Sequence, residues 1–235
     1  FAAANWWPVV VPLLVQSPVA IFLGVYGQYR FERRRGQRIS EAINYYLPEN
    51  IAKEFTAGKM DPGSANDVSY GTCFATDMAG FSTIAQNMPP RDLANFLNEY
   101  FESLAQALKV HQVDVTEFRA DAIMCDWLGS QEDPDSRRRA VSAALEAREV
   151  MTAFAEEHDL PATGLRVGLE SGWFYVGHAG GGGHFVYSIV GDCANTASRL
   201  EGLNKYLGTQ IICSGEVIEG LEEFTSRYLG LFQLK

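Results

Sequence analysis

The chain has 235 residues, of which 47% are hydrophobic and 20% are charged, values that are typical of a folded globular protein and exclude an intrinsically disordered one. Its formal net charge of -10 at pH 7 argues against a protein that coats nucleic acid. Any polyanionic ligand would therefore need local positive charge or metal ions. The four cysteines lie far apart, which predicts buried thiols rather than a metal or redox motif.

The N-terminal part of the chain is apolar. Residues 1–29 carry no charged side chain, and a cluster rich in arginine follows over residues 30–35. About 20 apolar residues suffice to span a bilayer, and a basic flank marks the cytoplasmic side. We therefore predict a transmembrane segment over residues 1–29 that contacts membrane lipid, with the region after it on the cytoplasmic side. Prolines 8, 12 and 18 would kink a helix or mark a break between two segments. The alternative is a buried apolar hairpin of a soluble domain.

A helical connector is predicted over residues 30–57, with an interruption at Pro48. Gly, Pro, Asp, Asn and Ser are frequent from residue 58 to residue 70, which predicts a loop. The main folded domain is expected over residues 58–235, with its C-terminal end cut short. Because the chain does not begin with methionine, we expect it to be a piece of a longer protein.

The rest of the sequence alternates strand patterns with amphipathic helices. Apolar residues recur at three- and four-residue spacing after Pro90 and again over residues 136–158, which predicts two long helices. Further helices are predicted over residues 192–203 and 216–221. Strands are predicted over residues 72–76, 113–127 (a hairpin with its turn at Arg119 and Ala120), 165–169, 174–176, 186–190, 210–213 and the stretch ending at Lys235. This order predicts an α+β, ferredoxin-like sandwich with helices on one face of a mainly antiparallel sheet.

Two carboxylates occupy chemically suggestive positions. Asp77 ends an apolar strand, and Asp121 lies at the turn of the predicted hairpin. If the two strands are neighbours, the carboxylates converge at one end of the sheet. Hard oxygen ligands in that arrangement suit Mg²⁺ or Mn²⁺, which hold nucleotide phosphates. Taken singly, each aspartate would also fit an ordinary turn or helix cap.

A second polar group follows Val190-Gly191. Asp192 is a suitable N-cap for the next helix, and Asn195 and Arg199 are four residues apart, so they share one helix face. An amide and a guanidinium on that face can bind a ribose and a phosphate. A surface ion pair between Arg199 and Glu201 is the alternative.

These motifs together resemble the class III adenylate/guanylate cyclases. The stretches 74–82, 116–124 and 187–199 match that family in order and spacing. Residues 45–51 resemble its domain entry and residues 229–235 its last strand, so the resemblance covers about residues 44–235. It implies conversion of a purine nucleoside triphosphate to its 3′,5′-cyclic monophosphate plus pyrophosphate, in second-messenger signalling.

The resemblance also implies roles for individual residues. Asp77 and Asp121 would hold two divalent metal ions, Mg²⁺ or Mn²⁺. Asn195 and Arg199 would orient the ribose and stabilise the transition state, and Lys235 would neutralise the triphosphate tail. The family pairs its domains as a homodimer, in which one protomer gives the aspartates and its partner gives the remaining site residues. The four histidines fall outside the motifs, so no general base is named.

The base specificity depends on Glu117 and Ser188, which stand at the family's base-recognition positions. A carboxylate can accept hydrogen bonds from guanine N1–H and N2–H₂, and a hydroxyl can donate to O6, which favours GTP. ATP stays close behind, because Glu117 could instead accept from adenine N6–H₂ while Ser188 donates to N1. One mismatched polar contact costs about 1–3 kcal/mol, which gives preference rather than exclusivity.

Ala120 departs from the family pattern, which has glycine before the metal-binding aspartate. A tight hairpin turn needs a positive φ that costs alanine more, so Asp121 is expected to sit slightly off and activity to be low or to need Mn²⁺. Arg119 is expected to face water. This departure motivates the alternative function, a degenerate nucleotide-binding dimerisation module. A diguanylate-forming or polymerase-like enzyme is disfavoured, because its Gly-Gly-acidic-acidic-Phe hairpin is missing here.

Overall fold

A computed structural model of the chain describes residues 16–44, 67–160, 164–181 and 184–234. The chain divides into two compact units, Phe1–Met60 and Asp61–Lys235, which are described separately. The predicted domain-entry motif over residues 45–51 and the predicted site residue Lys235 lie outside the described residues.

In the first unit, helix α1 runs without interruption over Ser17–Asn44. Pro18 is its second residue, a position where proline is tolerated because the N–H it lacks has no partner in the first turn. The helix continues through the predicted boundary between residues 29 and 30. Within the described ranges, no helix is long and apolar enough to cross a membrane. Residues 1–15 of the predicted transmembrane segment fall outside those ranges.

The second unit contains the sheet. Its strands in chain order are β1 (Asp67–Met78), β2 (Val115–Arg119), β3 (Ala122–Gly129), β4 (Leu165–Gly181), β5 (His184–Val190) and β6 (Ile211–Cys213). Its helices are α2 (Phe81–Asn87), α3 (Pro90–Val110), α4 (Asp135–Glu157), α5 (Asp192–Leu207) and α6 (Gly215–Ile218). The strand order is β2-β3-β1-β4-β5, all antiparallel, and β6 pairs in parallel with β4. The predicted mainly antiparallel sheet is therefore confirmed.

Helices cover both faces of the sheet, and the prediction of helices on one face alone is wrong. Buried side chains of α3 and α4 form the main core with Phe74 and Met78 of β1. Because side chains alternate along a strand, Cys73 and Ala75 point to the opposite face. There they pack against Ala197 and its neighbours on α5.

The strand β4 is a single element, whereas the sequence predicted two strands joined by a turn near Gly172. Residues 165–176 pair without a break with residues 67–78 of β1. A Cβ atom at Gly172 would lie 3.6 Å from the Cβ atom of Cys193 on α5, so this glycine lies in a packed strand rather than a turn. The same pairing makes residues 67–70 a strand, although their composition predicted a loop.

The C-terminal segment also differs from the prediction. Residues 225–234 form neither helix nor strand, so the predicted last strand is wrong over these residues. The helix predicted over residues 216–221 is the short α6.

Candidate active site

Asp77 and Asp121 meet at one edge of the sheet, as their positions predicted. Strands β1 and β3 are antiparallel neighbours, with Ala75 opposite Met124, so the end of β1 lies beside the residue that precedes β3. The two carboxyl groups lie close enough to interact electrostatically. Burial and the neighbouring Asp77 carboxylate raise the pKa of Asp121 to about 6.

The hairpin that carries Asp121 is held by buried groups. Arg119 pairs with Ala122, so the turn consists of Ala120 and Asp121, one residue later than predicted. Ala120 has a φ of 52°, the positive value that the missing glycine led us to expect. The fully buried Tyr100 donates a 3.3 Å hydrogen bond from its hydroxyl to the carbonyl oxygen of Asp121.

Arg166 is a site residue that the sequence analysis missed. It lies opposite Asp77 in the pairing of β4 with β1, and its Nη2 atom forms an ion pair with the Asp77 carboxylate. Its Nε atom is 3.1 Å from Oε1 of Glu201, as an ion pair rather than an aligned hydrogen bond. The available signal was a single arginine within an apolar strand.

Glu201 therefore pairs with Arg166, whereas the alternative considered from the sequence was a pair with Arg199. Burial and the charge of Asp77 raise the pKa of Glu201 to about 7, although Arg166 opposes this shift. An alternating row of charges, carboxylate, guanidinium and carboxylate, thus runs from the end of β1 to helix α5.

The donor set suits a hard divalent cation. Asp77 and Asp121 provide oxygen ligands, and the charge of Asp77 disfavours the ionised form of Asp121, a repulsion that a cation relieves. In the described ranges, no group of three or more His, Cys, Asp or Glu side chains could hold a metal ion. A pair of carboxylates fits Mg²⁺, which keeps several waters and binds through one or two carboxylates plus substrate phosphates.

A cavity of about 560 Å³ opens beside Asp77. Its lining includes the basic residues Arg166, Arg199 and Lys205. Cavities of this size accommodate small-molecule ligands. The three basic residues outnumber the two acidic residues of the lining, Asp77 and Glu201, so the cavity has the local excess of positive charge that an acidic protein needs in order to bind a polyanion. Lys205, like Arg166, was not singled out from the sequence.

Glu117 and Ser188 are brought together although they lie on different strands. The Ser188 hydroxyl donates a 2.8 Å hydrogen bond to Oε2 of Glu117. Arg119 donates from Nε to Oε1 of Glu117 at 2.7 Å. The Arg119 side chain is 58% exposed, so the expectation that it faces water holds for most of its surface, but its guanidinium is anchored.

Asn195 and Arg199 both lie on α5, where their spacing of four residues places them on one helix face, as predicted, and both are exposed. Gly191 is the N-cap of helix α5, and Asp192 is the first residue of the helix. No side chain caps this helix by a hydrogen bond, so the predicted N-cap role of Asp192 is wrong. A carboxylate in the first turn still interacts favourably with the helix dipole.

Residues 65–235 match the family described as the adenylate and guanylate cyclase catalytic domain. The chain belongs to this family. Among its relatives, adenylate cyclase 1 of Rhizobium meliloti is 28% identical over 194 residues, which cover 81% of this chain and 29% of that protein. The receptor-type guanylate cyclase gcy-4 of Caenorhabditis briggsae is 32% identical over 163 residues, which cover 68% of this chain and 14% of that protein.

A solved structure of the same kind is similar in fold. The guanylate cyclase domain of RhGC from Catenaria anguillulae in complex with GTP aligns with a TM-score of 0.60 and 27% identity, over 72% of this chain and 91% of that one. The predicted membership of the class III cyclase family, and with it the predicted enzyme class, is thus confirmed. The chain spans less than a third of the length of the two relatives named above.

Proposed function

We propose that this chain forms a purine nucleotide cyclase that acts as a homodimer and converts GTP to cyclic GMP and pyrophosphate in second-messenger signalling. The observation that carries the proposal is the convergence of Asp77 and Asp121 at one edge of the sheet, to which Arg199 of a partner protomer would add a basic phosphate ligand. Acidic metal ligands next to basic phosphate ligands are the combination that a nucleoside triphosphate requires.

In the proposed reaction, the ribose 3′-oxygen attacks the α-phosphorus and loses its proton to solvent. The bond from the α-phosphorus to the bridging oxygen breaks, and pyrophosphate leaves with that bond's electron pair. Arg199 donates hydrogen bonds to the charge that develops on the α-phosphate, and Asn195 orients the ribose. Lys235 neutralises the triphosphate tail. Asp77 and Asp121 would hold two divalent ions, Mg²⁺ or Mn²⁺, which when bound offset phosphate charge and make the 3′-oxygen more nucleophilic.

The proposed homodimer shares its sites between protomers. The exposure of Asn195 and Arg199 on α5 supports this arrangement, because a group that acts across an interface must lie on the protomer surface. Each site then combines Asp77 and Asp121 of one protomer with the Asn195, Arg199 and Lys235 of its partner. The base-recognition pair, Glu117 and Ser188, would come from that partner as well.

A membrane tether belongs to the same proposal. The uncharged stretch over residues 1–29 and the arginines after it support an anchor that keeps the catalytic domain cytoplasmic. Fractionation of cells that express the chain tests this point. Recovery in the membrane pellet after an alkaline wash is expected, and deletion of residues 1–29 should release the protein.

The preference for GTP rests on the Glu117 carboxylate, which can accept from guanine N1–H and N2–H₂. ATP is the second candidate substrate. The first experiment incubates the purified chain with Mn²⁺ and either triphosphate, and identifies the products by chromatography. Cyclic GMP as the main product supports the proposal, and cyclic AMP alone would reassign the substrate while leaving the cyclase activity in place.

The second candidate function is a degenerate nucleotide-binding module that dimerises. The positive φ of Ala120, directly before Asp121, favours it. Binding of GTP without any cyclic product from either triphosphate would support this module and contradict the cyclase. Cyclic product that is lost in Asp77→Asn would exclude it.

A further inference from the structure

Arg119 forms a closed hydrogen-bonded set with the two residues at the base-recognition positions, Glu117 and Ser188. Glu117 and Arg119 are two residues apart on β2, so both point to the same face of the sheet. Ser188 of β5 lies against that face, with its hydroxyl 2.8 Å from Oε2 of Glu117. Arg119 bridges the pair, from Nε to Oε1 of Glu117 at 2.7 Å and from Nη2 to the Ser188 hydroxyl at 3.4 Å.

The direction of these hydrogen bonds is fixed by chemistry. An ionised carboxylate only accepts, so the single hydroxyl proton of Ser188 is donated to Glu117. That proton is then not available to a base. The guanidinium of Arg119 has five N–H donors, of which two are used in these contacts. The Arg119 side chain is 58% exposed, whereas Glu117 is 11% exposed, so Arg119 is the more accessible of the two to an incoming ligand.

A purine that meets this set would find acceptors and donors side by side. The Glu117 oxygens have about four lone-pair sites, enough to bind both Arg119 and Ser188 and still accept from a base. Guanine offers N1–H and N2–H₂ donors next to its O6 acceptor. Adenine has the N6–H₂ donor group where guanine has O6. This amino group would face the N–H donors of Arg119, so that two donors would meet without an acceptor.

We propose that Arg119 determines base specificity by donating a hydrogen bond to O6 of GTP while Glu117 accepts from N1–H and N2–H₂. Ser188 then orients Glu117 instead of contacting O6 itself. The inference rests on the proposed cyclase function and deepens it by assigning the guanine preference to a side chain of the hairpin that also carries Asp121. Arginine is well suited to this contact, because its planar donors match the oxygen acceptor of guanine.

The test compares Arg119→Ala with the unsubstituted protein, with kcat/KM measured for GTP, ATP and inosine triphosphate at a fixed Mn²⁺ concentration. The ratio of kcat/KM for GTP over ATP should fall by about 10- to 100-fold, because only guanine loses a partner. Inosine keeps O6 and N1–H and lacks only the 2-amino group, so its kcat/KM should fall by the same factor as that of GTP. The matched control is Arg148→Ala on α4, an ion-paired surface arginine away from the site.

Two outcomes would overturn the inference. The first is a GTP-over-ATP ratio in Arg119→Ala that stays within twofold of the unsubstituted protein. The second is a loss for GTP well above the loss for inosine triphosphate, which would mean that Arg119 only positions Glu117. If no cyclic product forms at all, the cyclase proposal fails, and displacement of a fluorescent GTP analogue by GTP and by ATP still tests the specificity. Equal affinity ratios in the unsubstituted protein and Arg119→Ala would then contradict the role of Arg119.

Discussion

Gly168 of β4 lies directly beneath helix α5, so that a Cβ atom at this position would come within 2.0 Å of the carbonyl oxygen of Ala197. The same Cβ would be 2.3 Å from the backbone nitrogen of Glu201. Both clashes involve helix backbone, which cannot rotate away as a flexible side chain could. The contact keeps α5, with Asn195 and Arg199, close to the strand that carries Arg166.

We therefore expect Gly168→Ala to lower the free energy of unfolding by about 2 kcal/mol or more, the effect of overpacking a tight interface. Urea denaturation measures this loss, and cyclase activity should fall as α5 is displaced. The control is Gly202→Ala, within α5, where a Cβ meets nothing within 4 Å. Because alanine favours a helix by about 1 kcal/mol over glycine, Gly202→Ala should be neutral or stabilising. Equal stabilities of the two variants would contradict the close packing.

The features that were predicted correctly are those that depend on local patterns in the sequence. The spacing of apolar residues gave α3 and α4 nearly to the residue, and the position of Asp77 and Asp121 at strand ends predicted their convergence. The positive φ of Ala120 followed from the requirements of a two-residue turn. In each case the deciding interaction lies within a few residues or within one strand pair.

The errors concern interactions between distant parts of the chain. Gly172 resembles a turn residue until its neighbour across the sheet, Gly71, and the helix above it are known. The ion pairs of Arg166 with Asp77 and Glu201 join residues on three separate elements. The contact of Arg119 with Ser188 likewise spans 69 positions. None of these pairings has a signature in the local sequence.

Ala120 is a strained position that can be relieved. With a φ of 52°, its Cβ crowds the backbone, a conformation that costs a non-glycine residue roughly 1–2 kcal/mol. Ala120→Gly removes this cost but adds flexibility to the unfolded chain, so we expect a net gain of about 1 kcal/mol in the free energy of unfolding. Since Asp121 follows directly, the cyclase rate with Mg²⁺ should also rise relative to the rate with Mn²⁺. Ala122→Gly, in the adjoining strand, is the control and should destabilise; a loss of stability in Ala120→Gly would show that the turn carries no strain.

The buried carboxyl group of Asp126 leads us to expect an unusual dependence of stability on pH. It is fully buried between Cys73 of β1 and Val115 of β2, and neither carboxyl oxygen has a hydrogen-bond partner among the described residues. Burial, with a smaller effect from the charge of Asp114, raises its pKa well above the ordinary value. Cys73, Cys125 and Tyr187 are the other titratable groups that interact with it electrostatically.

The direction of this pH dependence follows from the number of protons that the folded and the unfolded states bind. Above about pH 4 the unfolded chain loses the Asp126 proton while the folded chain keeps it, so the unfolded state binds fewer protons. The free energy of unfolding must then fall as pH rises toward the folded-state pKa. Asp126→Asn cannot ionise, and we expect it to be more stable than the unsubstituted protein at pH 8 by about 1 kcal/mol or more, with a smaller difference at pH 5. Urea denaturation at both values measures this, with the exposed Asp133→Asn as the control; a difference that is the same at pH 5 and pH 8 would contradict a buried neutral Asp126.

The shared active site of the proposed homodimer can be tested by mixing two inactive variants. Asp77→Asn removes a metal ligand and Arg199→Ala removes a transition-state donor, and each alone is expected to lose cyclase activity by about 100-fold or more. If these residues act in different protomers of one site, a mixed dimer keeps one intact site of its two. Random exchange at equal concentrations then restores about a quarter of the unsubstituted activity.

Within one chain, Asp77 and Arg199 also line the same cavity, so an active site confined to a single protomer is the competing arrangement. In that case each protomer of the mixture carries one defect, and the activity stays at the level of the single variants. The matched control mixes Asp77→Asn with Asp121→Asn. Each protomer of a mixed dimer then has one defect in its own pair of metal ligands, so that neither site is intact and no activity returns. Recovery in the first mixture together with none in the second is the expected result, because only a site built from two protomers separates Asp77 from Arg199 and keeps Asp77 with Asp121.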